Sequence, residues 1–519
     1  MNDLTNGTAN RADFRPALNP FGVGPIGLGR ASVVDEAAIL TSVGFLLFGL
    51  CAALFVRAWN RRERLETGDR RRVLPAIGGS LQLVCAVLLP FTADLLEFFV
   101  LWELISLGAV LVLASEPGRG RLLRTYLPIQ IAGAIALIVA IAAHYAEAGS
   151  LGLTPDGLQA GAPFALFAVL VKAAVFPLHL WMVETYPRVS PAITVMLSAF
   201  GTKSGVFAAY RLIPGLPGLE LLGALSALLA VLYALRQRRL RPFLTFHIAS
   251  QIGYMIAGIG GLTAASQLAG VYHLSNHVMY KGLLLMCAAV LIRRYRTEDM
   301  YLIRNLGSRT NLAVGVAALV GALAISGVPP FNGFVSKAFL KAHASTPAVY
   351  WLLVGASIGT AMSFTKFLWL SFLGGHLLGA RDVLDRKILS ATRPRSGRPW
   401  TRPGEAVGMA TLACACAGMT FLPLVIFPEL SFVYLFSRLV LAGGVWPAAV
   451  GAAGFVLVYP HLLRGLKLLP NGAAAGRRLL VAGAGFVRSV RNLHTGDLRD
   501  SIAWMIVGLV AVWLVTLIL

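Results

Sequence analysis

The feature that most constrains this chain is the recurrence of apolar runs close to the roughly 20 residues a helix needs to cross a bilayer. About fourteen fit the pattern, at 36–57, 73–94, 95–115, 123–146, 162–180, 190–212, 216–235, 242–262, 267–292, 309–343, 347–375, 405–428, 438–463 and 500–519. The run at 309–343 is broken by Pro329-Pro330. Transmembrane strands would instead need alternating segments of about ten residues, and none occurs. The expected fold is therefore an all-α polytopic membrane bundle. Residues 1–31, within the segment 1–35, are polar, rich in Gly, Pro and Asn, and lack the apolar centre of a cleavable signal peptide. They read as an extramembrane segment.

Charge is sparse and unevenly placed. Charged residues make up 13% of the chain, against about 25% in soluble domains. The net charge of +22 would suggest nucleic acid as a partner in a soluble protein. Here the charges lie between apolar runs, so the positive-inside rule is the better reading. Arginines cluster after the first span (Arg57 to Arg72), the third (Arg119 to Arg124), the seventh (Arg236 to Arg241), the ninth (Arg293 to Arg304) and the eleventh (Arg381 to Arg402). The loops at 146–162 and 261–267 hold no Lys or Arg. This alternation predicts an even number of spans with both termini outside. Asp94 and Glu97, at the junction of the second and third spans, read as interfacial.

That topology makes spans two to six and seven to eleven two five-helix blocks of opposite orientation. Each has a proline-interrupted helix in fourth place, at Pro177 and at Pro329-Pro330. Inverted repeats with broken helices are a common plan of secondary transporters. The expected units are the first span with its basic loop (36–72), the two repeats (73–212 and 213–375), a basic loop (376–404) and C-terminal spans (405–519).

Within this frame Lys172 stands out, five residues before Pro177. A charge at mid-bilayer is costly, by about 3 kcal/mol on the insertion scale, and proline removes a backbone donor beside it. The chain has 8 lysines and 37 arginines. Loops use almost only arginine, whereas spans carry Lys172, Lys203, Lys281, Lys337 and Lys366, with Lys341 near a span end. Arginine keeps its proton in proteins, and a buried lysine can release one. Structural stability does not need that distinction; a proton relay does.

Glu103 lies about eight residues into its span, roughly 12 Å deep at 1.5 Å per residue, which is too deep for snorkelling to rescue it. A structural Glu103–Lys172 pair is the simpler alternative, but it leaves the other lysines unexplained. His273, His277 and Lys281 recur at intervals of four and share one helix face. A histidine pair at that spacing also suits a metal ion. With no carboxylate nearby and a lysine next in line, a hydrated proton path is preferred. His179, His247 and Lys366 are left without a role. The five cysteines and the absence of a Gly-rich nucleotide loop suggest no cofactor and no metal in this chain.

Six segments carry a resemblance: Phe99-Val-Leu-Trp-Glu103-Leu, Lys172-Ala-Ala-Val-Phe-Pro-Leu-His-Leu-Trp181, Thr202-Lys203-Ser-Gly-Val-Phe-Ala-Ala-Tyr-Arg211, Ser250-Gln-Ile-Gly-Tyr254, His273-Leu-Ser-Asn-His277-Val-Met-Tyr-Lys281 and Gly327-Val-Pro-Pro-Phe-Asn-Gly-Phe-Val-Ser-Lys337. In order and spacing the chain resembles the antiporter-like family shared by the membrane arm of respiratory complex I, membrane-bound hydrogenases and Mrp-type cation/proton antiporters. The resemblance implies an intramembrane pair of Glu103 with Lys172, and Lys203 as the central relay. It implies that His273, His277 and Lys281 carry the proton onward, and that Lys337 stands at the other access path. Thr-Lys-Ser-Gly resembles the D-type member of the Mrp antiporters, or the complex I subunit most like it, more than the large subunit with a lateral helix. Trp181-Met-Val-Glu184 replaces the usual Trp-Leu-Pro-Asp, and Phe246-His247 replaces a tyrosine-serine. The chain also resembles a form that begins at the third helix of the longest relatives.

The expected function is a proton-translocating subunit of a multisubunit ion-transport complex in the cell's inner membrane. Its partners would be other membrane subunits, protons, lipid and sodium as a candidate counter-ion. The alternatives are a membrane-arm subunit of a redox-driven NADH:quinone oxidoreductase or hydrogenase, or a partner in ion-coupled inorganic-carbon uptake. Any redox chemistry would then belong to the partners.

Overall fold

In the computed structural model, the described residues are 33–67, 73–303, 312–373, 400–422 and 445–457. Among them every regular element is helical, and the extended contacts are single bridges of Asp94 with Gly152 and Arg239 with Asp299. The first helices are α1 (Glu36–Thr67), α2 (Val73–Leu88), α3 (Leu95–Ala114) and α4 (Arg119–Ala148). A broken segment follows, α5 (Ala162–Ala173) and α6 (Leu180–Thr185), then α7 (Pro191–Leu197) and α8 (Phe200–Leu212). Next come α9 (Leu219–Arg236), α10 (Leu240–Ile259) and α11 (Ala264–Tyr295). A second broken segment, α12 (Leu312–Ser326) and α13 (Asn332–Ala342), precedes α14 (Pro347–Leu368). Two further helices are Pro403–Gly418 and Val445–Leu457. The expected span at 500–519, residues 376–399 of the expected basic loop (376–404) and residues 1–32 of the expected N-terminal segment lie outside the described residues.

Eight of the described helical segments are long and apolar enough to cross a membrane. Their starts follow local chemistry. Asp94 caps α3 by accepting from the N–H groups of Leu96 and Glu97 at 2.9 and 3.1 Å. Thr263 and Thr346 cap α11 and α14 in the same way. Asp94 is thus a helix cap.

The two breaks share one local geometry. At the end of α5, Ala174 adopts a left-handed conformation (φ 58°), its N–H reaches Val171 O and the Val175 N–H reaches Leu170 O. At the end of α12, Gly327 is left-handed (φ 76°), its N–H reaches Ala324 O and the Val328 N–H reaches Leu323 O. Both are Schellman-type ends, and each is followed three residues later by a proline, Pro177 or Pro330. The break in the first segment therefore comes at Ala174, earlier than the proline itself.

Burial separates the bilayer-facing shell from the centre. In Pro191–Leu212 and Ala264–Tyr295, 94% of the apolar window is buried, against 39% in Val73–Phe91 and Arg119–Ala148. The central helix α11 packs against α1, α7, α8, α10, α12, α13 and Pro403–Gly418. The run at 190–212, expected as one helix, is interrupted at Ser198-Ala199. Proline does not mark this break, and it leaves carbonyl groups of α7 without helical partners.

Candidate functional site

The most buried helices carry the titratable residues. Lys172 lies in the last turn of α5 and is 2% exposed. Its position before the Ala174 break sets a cation at a helix C-terminus, where unpaired carbonyls favour positive charge. Its Nζ donates to Trp102 O at 2.9 Å and to the Ser106 hydroxyl, and stands 4.6 Å from the centre of the Trp102 ring. Trp181 Nε1 donates to Val171 O at 2.9 Å and ties the chain after the break back to α5.

Glu103 lies between the two α3 residues that hold Lys172. Among the described residues it makes no direct ion pair with the lysine, and its buried Oε1 has no hydrogen-bond partner. The two charges nevertheless act on each other electrostatically. A cavity beside Lys172 is lined by Gln82, Tyr126, Gln130, Tyr186, Leu197 and Gly201, among others. The amide nitrogens of Gln82 and Gln130 are buried there without partners, which suits water. Glutamines inside apolar spans are the sequence signal for this cavity, one that a search for charged residues misses.

The cavity reaches the interruption between α7 and α8. Lys203 is fully buried and donates to Ser198 O at 2.7 Å and to Thr202 Oγ1 at 3.1 Å. Gly205, half a turn on, lets α8 lie directly against the end of α5. A Cβ there would come within 2.5 Å of Ala173 N.

His277 lies in the electrostatic field of both Lys203 and Lys281, and among the described residues neither of its ring nitrogens has a hydrogen-bond partner. Lys281 donates to Leu244 O on α10 at 3.0 Å. His273, one turn before His277, is held between Ser336 Oγ on α13 (2.8 Å) and Gln251 Oε1 on α10 (3.2 Å). Tyr280 donates to the same Gln251 oxygen at 3.3 Å. Lys337 donates to Ile325 O at the end of α12 (2.7 Å) and sits 4.8 Å from the Tyr254 ring centre. Asn276 and Asn332 exchange amide-to-carbonyl contacts at 3.3 and 3.4 Å, fixing α11 to α13.

The seven residues singled out in the sequence thus fall into two groups. Lys172 of α5 lines the cavity, and Glu103 of α3 lies beside the Trp102 and Ser106 groups that hold that lysine. Lys203, His277, Lys281, His273 and Lys337 lie in the buried centre around α11. Among the described residues, no carboxylate forms an ion pair with Lys172, Lys203, Lys281 or Lys337, and every one of these ammonium groups rests on at least one backbone carbonyl. Such an environment holds a lysine in place without fixing its charge, which suits reversible proton binding. His179 stacks on Phe176 at 4.8 Å inside the first break.

The family model described as NADH:quinone oxidoreductase/Mrp antiporter, TM matches residues 92–363, which hold all seven of these residues. The chain is 26% identical to NAD(P)H-quinone oxidoreductase chain 5 of a Picosynechococcus species, covering 61% of this chain and 53% of that protein. It is 27% identical to the D-type component of the Na(+)/H(+) antiporter of Alkalihalophilus pseudofirmus, covering 54% and 62% respectively. It therefore spans between half and two thirds of these relatives. In fold it is similar to a chain of the Mrp complex from a Dietzia species, with 22% identity, a TM-score of 0.64, and 83% and 86% of the two chains covered.

Proposed function

The chain belongs to the NADH:quinone oxidoreductase/Mrp antiporter transmembrane family, and on that premise we propose that it translocates protons as one subunit of a multisubunit membrane complex. Its similarity to a Na(+)/H(+) antiporter component favours cation/proton exchange as the activity of that complex. The observation that carries the reading is the file of buried lysines that, among the described residues, form no ion pair with a carboxylate. Protons move along it as lysines and histidines are charged and neutralised in turn. Glu103 adjusts the proton affinity of Lys172, and the cavity beside Lys172 admits water. Lys203 passes charge to His277 and Lys281, and Lys337 with His273 forms the far end.

Two inverted five-helix repeats, 73–212 and 213–375, organise this path within a bundle of about fourteen spans in the inner membrane. The matching ends of α5 and α12 support the repeat, because Ala174 with Pro177 and Gly327 with Pro330 fall in the same register. A second reading, a redox-driven quinone oxidoreductase subunit, is favoured by the similarity to NAD(P)H-quinone oxidoreductase chain 5.

Inverted membrane vesicles with and without this chain separate the two. Sodium-triggered proton exit from acid-loaded vesicles that depends on the chain supports the first reading. Chain-dependent acidification on adding NADH supports the second. Proton movement unaffected by loss of the chain, under both drives, would contradict both.

A further inference from the structure

His247 is the buried titratable group that the path above leaves unused. It is fully buried in the middle of α10, and among the described residues neither ring nitrogen has a hydrogen-bond partner. Its ring is wedged between Phe243 of the preceding turn, at 4.8 Å, and Phe364 of α14, at 4.7 Å. A histidine kept only for packing would normally have at least one nitrogen satisfied, since an unpaired buried polar atom is costly.

The neighbours suggest a use. Lys281 donates to Leu244 O, one turn before His247 on the same helix. On the other side, Lys366 of α14 stands 5.8 Å from the Phe243 ring centre. The charged groups acting on His247 are Lys281, Lys337 and Lys366, contributed by α11, α13 and α14. Lys366 in turn donates to Leu235 O at 2.8 Å and Gln237 O at 2.6 Å, at the C-terminal end of α9. Directly beyond, Arg238 pairs with Asp299 at 3.4 Å, and Arg238 is 63% exposed. Lys366 is therefore the last buried ammonium beneath a solvent-facing ion pair at the arginine-marked end of α9.

We propose that His247 and Lys366 form a branch connecting Lys281 to the surface at the α9–α10 turn. The inference rests on the proton-relay reading above. In one passage the Lys281 ammonium gives a proton to one imidazole nitrogen of His247 through intervening water. The imidazolium then gives the proton on its other nitrogen to a neutral Lys366. Lys281 ends neutral, His247 returns to neutral as the opposite tautomer, and Lys366 ends charged, so total charge is unchanged. Lys366 discharges into water at the Arg238–Asp299 pair.

The test uses vesicles containing the whole complex, under whichever drive moves protons in the unaltered protein. His247→Ala and Lys366→Met, at equal assembled amounts, should each slow proton movement about tenfold or more. The double variant should be no slower than the slower single one, because both residues serve one branch. Added imidazole should restore much of the rate in His247→Ala and none in Lys366→Met. If His247→Ala fails to assemble, His247→Gln keeps a polar group of similar size that cannot carry a proton and should show the same loss.

Single variants within twofold of the unaltered rate would overturn the branch, as would losses that multiply in the double variant. Lys172→Ala is measured alongside. If it abolishes transport while His247 and Lys366 variants do not, the branch fails and the main path stands. If Lys172→Ala leaves transport intact, the underlying relay reading itself fails.

Discussion

At the scale of single residues, the choice of lysine over arginine is the main physical signal. A structural cation resting on Ser198 O could be either residue, whereas a relay needs one that releases its proton. Lys203→Arg keeps the charge and removes that ability. It is expected to assemble yet lose about a hundredfold in proton movement, read with a pH-sensitive dye in vesicles. Transport near the unaltered rate would make Lys203 a structural cation. These lysines were legible in the sequence because a charge inside an apolar run is conspicuous. Their partners were not, because Trp102 O, Ser198 O and Ile325 O are backbone groups that only tertiary approach brings to an ammonium. The expected Glu103–Lys172 pair shows the same limit: α3 and α5 do meet there, but Lys172 donates its hydrogen bonds to Trp102 and Ser106, on either side of the glutamate.

At the scale of elements, helix interruptions supply two of those backbone partners, Ser198 O and Ile325 O, whereas Trp102 O lies inside the continuous α3. Proline and glycine announced the interruptions at Pro177 and at Pro329-Pro330 in the sequence. The break at Ser198-Ala199 carries no such mark, so 190–212 read as continuous. The close fit of α8 to the end of α5 rests on Gly205, whose Cβ position lies within 2.9 Å of Lys172 C. Gly205→Leu should therefore separate the two helices and destabilise the protein by about 1–3 kcal/mol, seen as a lower thermal transition of the purified complex. Trp181→Phe removes one of the two donors to Val171 O at the first break and leaves the Ala174 N–H; the lost tie to α5 should cost about 1 kcal/mol by the same measurement. An unchanged transition in either variant would mean that the break is held by other contacts.

For the whole molecule, the central helix α11 links the buried lysine and histidine cluster to the outer helices. Near its end, Arg293 pairs with the fully buried Glu405 at 2.5 and 2.7 Å and lies 4.4 Å from the Trp59 ring centre. One residue thus joins α11, α1 and Pro403–Gly418. Arg293→Ala would leave Glu405 buried without its partner, at a cost of about 3 kcal/mol or more, and should lower the yield of assembled protein. The all-helical membrane character was legible from run length alone. The order of burial was not, since α10 and α11 are buried by their neighbours rather than by exceptional apolarity, and their polar residues face one another inside the bundle.

The central claim is that buried lysines carry protons through this chain. Its most direct test is Lys172→Ala in vesicles holding equal amounts of assembled complex. The account predicts that chain-dependent proton movement falls about a hundredfold or more. An assembled Lys172→Ala complex that moves protons at the unaltered rate would contradict it.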